Sequence, residues 1–474
     1  MRNQKWNEFQ HRMKEARVAV LGVGISNKPL IRFIYKLGAE ITAFDALPAD
    51  DRVLSKTRAD FESEGITINW SCGPDYLARL KDEPFDFIFR TPQMRPDLPE
   101  LLSAHENGSI LTSEMEVFMD LCPARIFAVT GSDGKTTTTT LLSLFLEKAG
   151  HKVFLGGNIG TPLLDRIGEV TDEDMVVLEL SSFQLLSMRA SANVALVTNI
   201  TPNHLNVHKD YQEYIDTKRT VFANQEAGDR VILNYDNEIT REMMTSRRGS
   251  GCFFSRKIET VSPLLDLLYE KNGVIYSRVH GVETQLLNTA DILLPGEHNI
   301  ENYMAAMAAV LPYVPVRVFA ETANTFPGVE HRCELVRTLR NVRYYNSSID
   351  SSPNRTIHTL KSLAQRGERG VLIAGGADKM CDYTGLGQAI LSVCDRIVLC
   401  GSNAPFIRQA LEKECDGRSY RIIDTERFEE TVPSAASLAE DGEIVILSPV
   451  GTSYDQFRHF EERGKYYKEL VNAL

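Results

Sequence analysis

Residues 125–150, RIFAVTGSDGKTTTTTLLSLFLEKAG, run from a short apolar strand through a glycine-bearing turn into a helix. This segment constrains the chain more than any other. Glycines let backbone amides curl around a phosphate, and the helix N-terminus behind them adds a favourable field. A strand that feeds such a turn predicts a parallel sheet flanked by helices. The loop is also short. Its Gly-Lys-Thr ending fits the common phosphate-loop pattern, but that pattern places its first glycine where Val129 stands, and Gly131 is only three residues ahead of Gly134. Lys135 can reach the outer phosphates of ATP, and the Thr136 hydroxyl can ligate Mg²⁺. Thr138 to Thr140 are β-branched, poor helix formers, and are expected to pack the first turn of the helix.

Two more segments show the same strand, turn and helix. One is RVAVLGVGISNKPLIRFIYKLGAEITAFD at 17–45. The other starts at VRYYNSSIDSSPNRTIHTLKSL and continues through GVLIAGGADK, RIVLCGS and EIVILSPVG. Apolar strands of this length alternating with helical stretches predict an α/β fold with parallel sheets. Boundaries are expected near 112, before the strand that feeds the phosphate loop, and near 329, where ANTFPGVEHRCEL breaks a long helical stretch. The domains are thus 1–112, 113–329 and 330–474. Residues 240–290 have weak periodicity and read as mixed strand and loop.

A chain of 474 residues is long enough for such domains, and 43% hydrophobic residues give each a core. The formal charge of −12 argues against a nucleic-acid binder, which needs a broad basic face. The eight cysteines form no CxxC pair, as expected of free thiols in a reducing cytosol. No apolar run is long enough to span a membrane, and the N-terminus lacks the apolar core of a signal peptide. The expectation is a cytoplasmic enzyme of small molecules.

The remaining chemistry is more diffuse. GVGISN supplies Gly22 and Gly24 of a dinucleotide fingerprint, with Asn27 in the third glycine's place, and Asp45 ends the second strand where a ribose-binding acid often sits. The incomplete fingerprint favours some nucleotide over none and disfavours NAD. Glu179 lies in MVVLELSSFQLLSM, at the end of a buried strand. A carboxylate there costs free energy unless paired or bound to a metal. Mg²⁺ beside ATP would satisfy it, and so would a salt bridge. His204 and Lys218 follow in TPNHLNVHKDYQEYIDTKRTVF. Taken alone, His204 reads as a loop histidine and Lys218 as a solvated helix lysine.

The motifs TGSDGKTT, GGNIGTPL, LELSSFQL, TNITPNHLNVH with YIDTKRTVF, GEHNIENYMAA, HRCE and SPVGTSYDQF occur in this order along nearly the whole chain. Together they resemble the Mur ligase family, and LELSSFQL with the SYDQF and F..RG ending resembles its D-glutamate-adding members. Folylpolyglutamate synthase shares the short loop, but LELSSFQL points away from it. The resemblance implies a Rossmann-like N-terminal domain for a UDP-sugar, a central P-loop-type ATPase domain and a C-terminal dinucleotide-fold domain for the amino acid. It implies ATP-dependent addition of D-glutamate to UDP-N-acetylmuramoyl-L-alanine through an acyl phosphate, in peptidoglycan precursor synthesis, by a monomer.

The resemblance also implies roles for residues. Gly131, Ser132, Asp133, Gly134, Lys135, Thr136 and Thr137 would hold the ATP phosphates, Asn299 and Asn302 the adenine, and Arg332 a phosphate. Thr136, Glu179, His204 and Lys218 would hold two Mg²⁺ ions, with Lys218 carbamylated. Lys135, His204 and Lys218 would be catalytic. Ser26, Asp45, Asn158 and Gln184 would contact the UDP-sugar substrate. Ser351, Lys379, Ser453, Tyr454 and Phe460 would line the D-glutamate pocket. Two stretches depart from the family pattern. NDSKATN reads NSSIDSSPN, so Ser347 replaces an Asp and Ile349 a Lys, with Asp350 a candidate substitute. SPG reads RTPQM, with Gln93 in place of Gly, and Ala46 and Leu47 leave no base after Asp45. Arg90 or Arg95 is the candidate to face the diphosphate instead. A dehydrogenase built on GVGISN and a nucleotide-gated binding protein are the rival readings.

Overall fold

The computed structural model describes residues 4–24, 26–203, 207–257, 262, 264–294, 296–378 and 381–474. The chain divides into two compact units, Met1–Asn324 and Thr325–Leu474.

The first unit holds two sheets. One contains β1 (Arg17–Leu21), β2 (Glu40–Asp45), β3 (Asn69–Cys72), β4 (Phe87–Arg90) and β5 (Ile110–Thr112) in the order β3-β2-β1-β4-β5. Every pairing in it is parallel. The other contains β6 (Arg125–Thr130), β7 (Val153–Gly157), β8 (Met175–Glu179), β9 (Val194–Val197), β10 (Arg230–Asn234), β11 (Ser250–Ser255), β12 (Leu267–Lys271), β13 (Val274–Val279) and β14 (Val282–Asn288). Its order is β14-β13-β12-β11-β10-β9-β6-β8-β7. The pairings are parallel from β7 to β12, and β12, β13 and β14 pair antiparallel.

The four residues of β9 and the five of β8 are all buried. Continuous apolar strands of this kind are what a sheet covered on both faces requires. The weakly periodic stretch at 240–290 is β11 to β14, an extension of this sheet. Its signal is weak because β14 shows no alternation, its only buried residues being the adjacent Leu286 and Leu287. One apolar core joins the two sheets, since Val18 and Val20 of β1 share it with Ile126 and Ala128 of β6.

The second unit holds β15 (Glu334–Leu339), β16 (Val342–Asn346), β17 (Gly370–Ala374), β18 (Cys394–Leu399), β19 (Arg421–Asp424) and β20 (Ile444–Leu447). Their order is β15-β16-β20-β17-β18-β19, with only β15 antiparallel to its neighbour. The fold class is therefore the expected α/β with mainly parallel sheets. Among the described residues no helix is long and apolar enough to cross a membrane.

Candidate active site

In the central sheet the loop from β6 leads straight into the helix Lys135–Lys148. Gly131 has φ 140°, and a β-carbon there would lie 1.9 Å from Oγ1 of Thr198. Gly134 has φ 77°, and its β-carbon would lie 2.3 Å from Oδ1 of Asn302. Both positions require glycine on conformation and on space. The short loop is pinned by its neighbours. The Asp133 amide donates to Oδ1 of Asn199 at 3.0 Å, and the Ser132 amide donates to the Asn199 carbonyl. Ser132 turns its hydroxyl inward, to the Thr201 carbonyl and the Tyr214 hydroxyl. Its hydroxyl and its amide are thus both engaged within the protein.

Lys135 lies over the loop, its Nζ donating to the carbonyls of Gly131 at 3.0 Å and Ser132 at 2.8 Å. Thr138 and Thr139 are buried, as expected for the threonine run. Thr138 donates to Oδ1 of Asn302, and Asn302 donates to Asn299 at 3.1 Å. The two asparagines thus share a face of the helix Glu297–Val310, with Asn302 packed on the start of the loop helix.

Lys218 approaches the loop from the helix Tyr211–Ala223. Its buried Nζ donates to Oγ1 of Thr130 at 3.0 Å and to the Gly131 carbonyl at 2.9 Å. It sits 5.4 Å from the centroid of the Tyr214 ring, as their four-residue spacing predicts. Burial holds this amine well below the ordinary lysine range. The charge of Lys135 pushes the same way, and Glu179 opposes both.

Glu179 ends β8, next to β6, and is buried. Its Oε1 accepts from Nδ2 of Asn158 at 2.8 Å. Its Oε2 has no partner among the described residues. A buried carboxylate oxygen left unpaired is costly, and a cation is the chemistry that fits it. The described residues contain no ready cluster of three or more His, Cys, Asp or Glu side chains. An ion here would lean on Glu179, hydroxyls and phosphates.

Gly157 and Asn158 cradle the other side of Glu179. The Asn158 amide donates to the Glu179 carbonyl at 2.8 Å. Gly157 has φ 99°, and its β-carbon would fall 2.2 Å from that carbonyl oxygen. Gly157→Ala is expected to destabilise the protein by about 2–4 kcal/mol, from a wrong backbone region and a backbone clash together. Its urea midpoint should fall accordingly, and a parental midpoint would contradict this packing. Glu114 holds the far end of the same loop, accepting the amides of Leu163 and Leu164. Burial pushes its carboxyl up to about 7.

Gln184 sits in the helix Ser182–Leu185 and closes a capping box with Ser181. It lines a cleft shared with Ser26, Arg90, Glu114 and Gly157. On the first sheet, Asp45 accepts the amides of Val23 at 3.0 Å and Leu47 at 3.1 Å, so it shapes the turn after β1. Asn27 explains the missing third glycine. Its buried amide donates to the carbonyls of Leu21 and Gly22, closing that turn by side chain.

The two arginines expected to face a diphosphate are engaged elsewhere. Arg90 is buried and donates to Ser187 and to backbone carbonyls. Arg95 pairs with Asp97 and Glu213 at 2.8 Å each. His204 lies outside the described residues. The histidine of this loop that is described is His208, buried, 3.0 Å from Oγ of Ser182 and stacked on Phe183. Burial holds its imidazole below the usual range. Its place four residues after His204 was the only sequence signal for it.

In the second unit Arg332 stands between two residues in the left-handed region, His331 at φ 64° and Cys333 at φ 46°. The turn is fixed by His331, whose amide donates to Glu334 and whose Nδ1 lies 2.9 Å from Nδ2 of Asn346. Asp350 is buried and accepts from Ser448 at 2.7 Å. It satisfies an internal hydroxyl network, and burial pushes its carboxyl up. Ser351 is half-buried beside it. The loops after β17 and β20 are tied by a bridge between Ala377 and Thr452. Ser453 is therefore held beside the segment that leads to Lys379, while Lys379 itself lies outside the described residues. Ser453 is buried, Tyr454 is 72% exposed, and the Phe460 carbonyl accepts from Ser348 at 2.7 Å.

Comparison with known proteins identifies the family. The Mur ligase middle domain matches residues 129–310, and the Mur ligase, glutamate ligase domain matches residues 331–451. The UDP-N-acetylmuramoylalanine–D-glutamate ligase of Ruminiclostridium cellulolyticum is 47% identical over 476 residues, covering 100% of both chains. That of Acetivibrio thermocellus is 49% identical, covering 100% of this chain and 99% of its own. Among solved structures, UDP-N-acetylmuramate-alanine ligase MurC from Thermotoga maritima superposes with a TM-score of 0.56 at 16% identity, over 97% of this chain and 100% of that one. MurF ligase from the same organism, in complex with ADP, gives 0.53 at 16% identity, over 98% and 97%. At such identities the solved structures speak for the fold alone. The sequence matches span the whole length, and the chain belongs to the Mur ligase family.

Proposed function

We propose that this chain is an ATP-dependent ligase that joins D-glutamate to UDP-N-acetylmuramoyl-L-alanine. The observation that carries the reading is the convergence of Lys135, Lys218 and Glu179 on one glycine-shaped loop, with the Oε2 of Glu179 buried and unpaired. A free carboxylate is a poor electrophile, because oxide would have to leave. One of its oxygens attacks the terminal phosphorus of ATP, ADP departs, and an acyl phosphate forms. The D-glutamate nitrogen then attacks the acyl carbon, the carbon–oxygen bond to phosphate breaks, and the amine loses a proton. Both steps gather negative charge on phosphoryl oxygens, and a fixed cation at Lys135 stabilises that charge.

Thr136 and Glu179 would hold one Mg²⁺, and His204 with a carbamylated Lys218 a second. Bound there, the ions neutralise phosphate charge and orient the oxygens. Gly131 to Thr137, Asn299 and Asn302 would hold the nucleotide, with Arg332 on a phosphate. Ser26, Asp45, Asn158 and Gln184 serve the UDP-sugar. Lys379, Ser351, Ser453, Tyr454 and Phe460 serve D-glutamate. In this reading residues 1–112, 113–329 and 330–474 are the UDP-sugar, ATP and amino-acid domains of a cytoplasmic monomer that works on small molecules, without nucleic acid or membrane. The charge of −12 supports the exclusion of nucleic acid.

An amino-acid panel tests the specificity. D-glutamate should be ligated fastest, with L-alanine, L-lysine and diaminopimelate far behind. Faster use of any of those three would place the chain elsewhere in the family.

A further inference from the structure

Arg90 ends β4, and β4 lies beside β1 at the point where the order of the first sheet reverses, with β2 on the far side of β1. In open parallel sheets, ligands settle in the crevice beyond the strand ends at that reversal. The turns after β1 and β4 meet there, since a β-carbon on Gly22 would come within 3.2 Å of Thr91.

The Arg90 guanidinium faces two ways. One terminal nitrogen donates to the carbonyls of Thr91, Pro92 and Met94, at 3.3, 3.0 and 2.9 Å, and so shapes the turn after β4. Nε and the other terminal nitrogen donate to Oγ of Ser187 at 2.9 and 2.6 Å, and the latter also to the Phe183 carbonyl at 3.2 Å. Phe183 and Ser187 belong to the segment that follows β8 in the second sheet, which carries Glu179 and Gln184. The side chain is 1% exposed. No ion pair to it occurs among the described residues, and Glu116 opposes its desolvation only at longer range. A buried guanidinium without a carboxylate is expensive, so its value lies in what it fixes. Its planar fork suits the fixing of two backbone segments at once, which a lysine cannot do.

We propose that Arg90 is a positioning residue that locks the crevice turn of the first sheet to the Ser181–Ser187 segment of the second. A nucleotide-sugar seated in the crevice is thereby held in register with Gln184 and Glu179. This rests on the ligase reading above and adds a residue to it.

The test is steady-state kinetics of Arg90→Lys and Ser187→Ala, with melting temperature measured beside them. Ser187→Ala removes an acceptor of two guanidinium contacts and leaves the buried arginine in place, so it decides the matter if Arg90→Lys does not fold. Each folded variant should raise KM for UDP-N-acetylmuramoyl-L-alanine by about tenfold, the scale of one charged hydrogen bond, and leave KM for ATP within about twofold. A parental KM for the nucleotide-sugar in Ser187→Ala, whatever its melting temperature, would overturn the proposal. So would KM values for the two substrates rising together. A parent enzyme that releases no phosphate with both co-substrates would reject the ligase reading and this inference with it. An active parent with unaffected variants rejects the inference alone.

Discussion

Lys135→Ala is expected to lower kcat by at least about a hundredfold, the range found when a fixed electrostatic donor is lost from a transition state. The ammonium lies directly over the phosphate loop, on the Gly131 and Ser132 carbonyls. It is not part of the apolar core. Its removal should therefore leave a folded protein, with a cost of about 1 kcal/mol from the two loop contacts. Phosphate release measured beside thermal melting separates the two effects. A variant with near-parental turnover would take this loop out of the active site, and a variant that fails to fold would show that Lys135 is a structural tether.

The loop itself was legible because glycine spacing and a Gly-Lys-Thr ending have few other uses. Glu179 was legible for a different reason, as a charge at the end of an apolar strand, and its unpaired Oε2 is the structural counterpart. Arg90 shows where sequence reasoning stops. An arginine near a supposed diphosphate site reads as a ligand-facing cation, and only the packing reveals that its donors go to Thr91, Pro92, Met94, Phe183 and Ser187. Asn27 is similar. It looks like a broken fingerprint, yet its amide closes the turn after β1. Polar contacts carry no periodicity, whether to a turn a few residues away, as for Asn27, or to a segment more than ninety residues on, as for Arg90, so neither could be read from local pattern. The fold survived these misreadings because strand and helix alternation depends on apolar periodicity and not on individual polar contacts.

Lys218→Ala should lose at least about a hundredfold in kcat and recover part of it when acetate is supplied, if Lys218 carries a carbamate that supports a metal. The amine is buried, and burial with the neighbouring Lys135 charge holds it well below the ordinary lysine range. Carbon dioxide adds to a neutral amine with loss of a proton, so an amine whose burial disfavours its charged form is suited to that modification. The product is an anion with two oxygens, which suits a hard cation where an ammonium would repel it. Tyr214 packs against the side chain and limits its freedom. Electron density in a crystal grown with bicarbonate should show a planar three-atom extension on Nζ. A bare amine still bonded to Thr130 and Gly131, with an alanine variant as active as the parent, would contradict the assignment.

Acyl transfer through a mixed anhydride with phosphate leaves a signature in oxygen labelling. UDP-N-acetylmuramoyl-L-alanine labelled with ¹⁸O in its free carboxylate is incubated with ATP and D-glutamate, and the released phosphate is analysed by mass. One labelled oxygen is expected in each phosphate, with equimolar amide product and no phosphate when either co-substrate is withheld. Unlabelled phosphate, or phosphate released without D-glutamate at the same rate, would contradict that route.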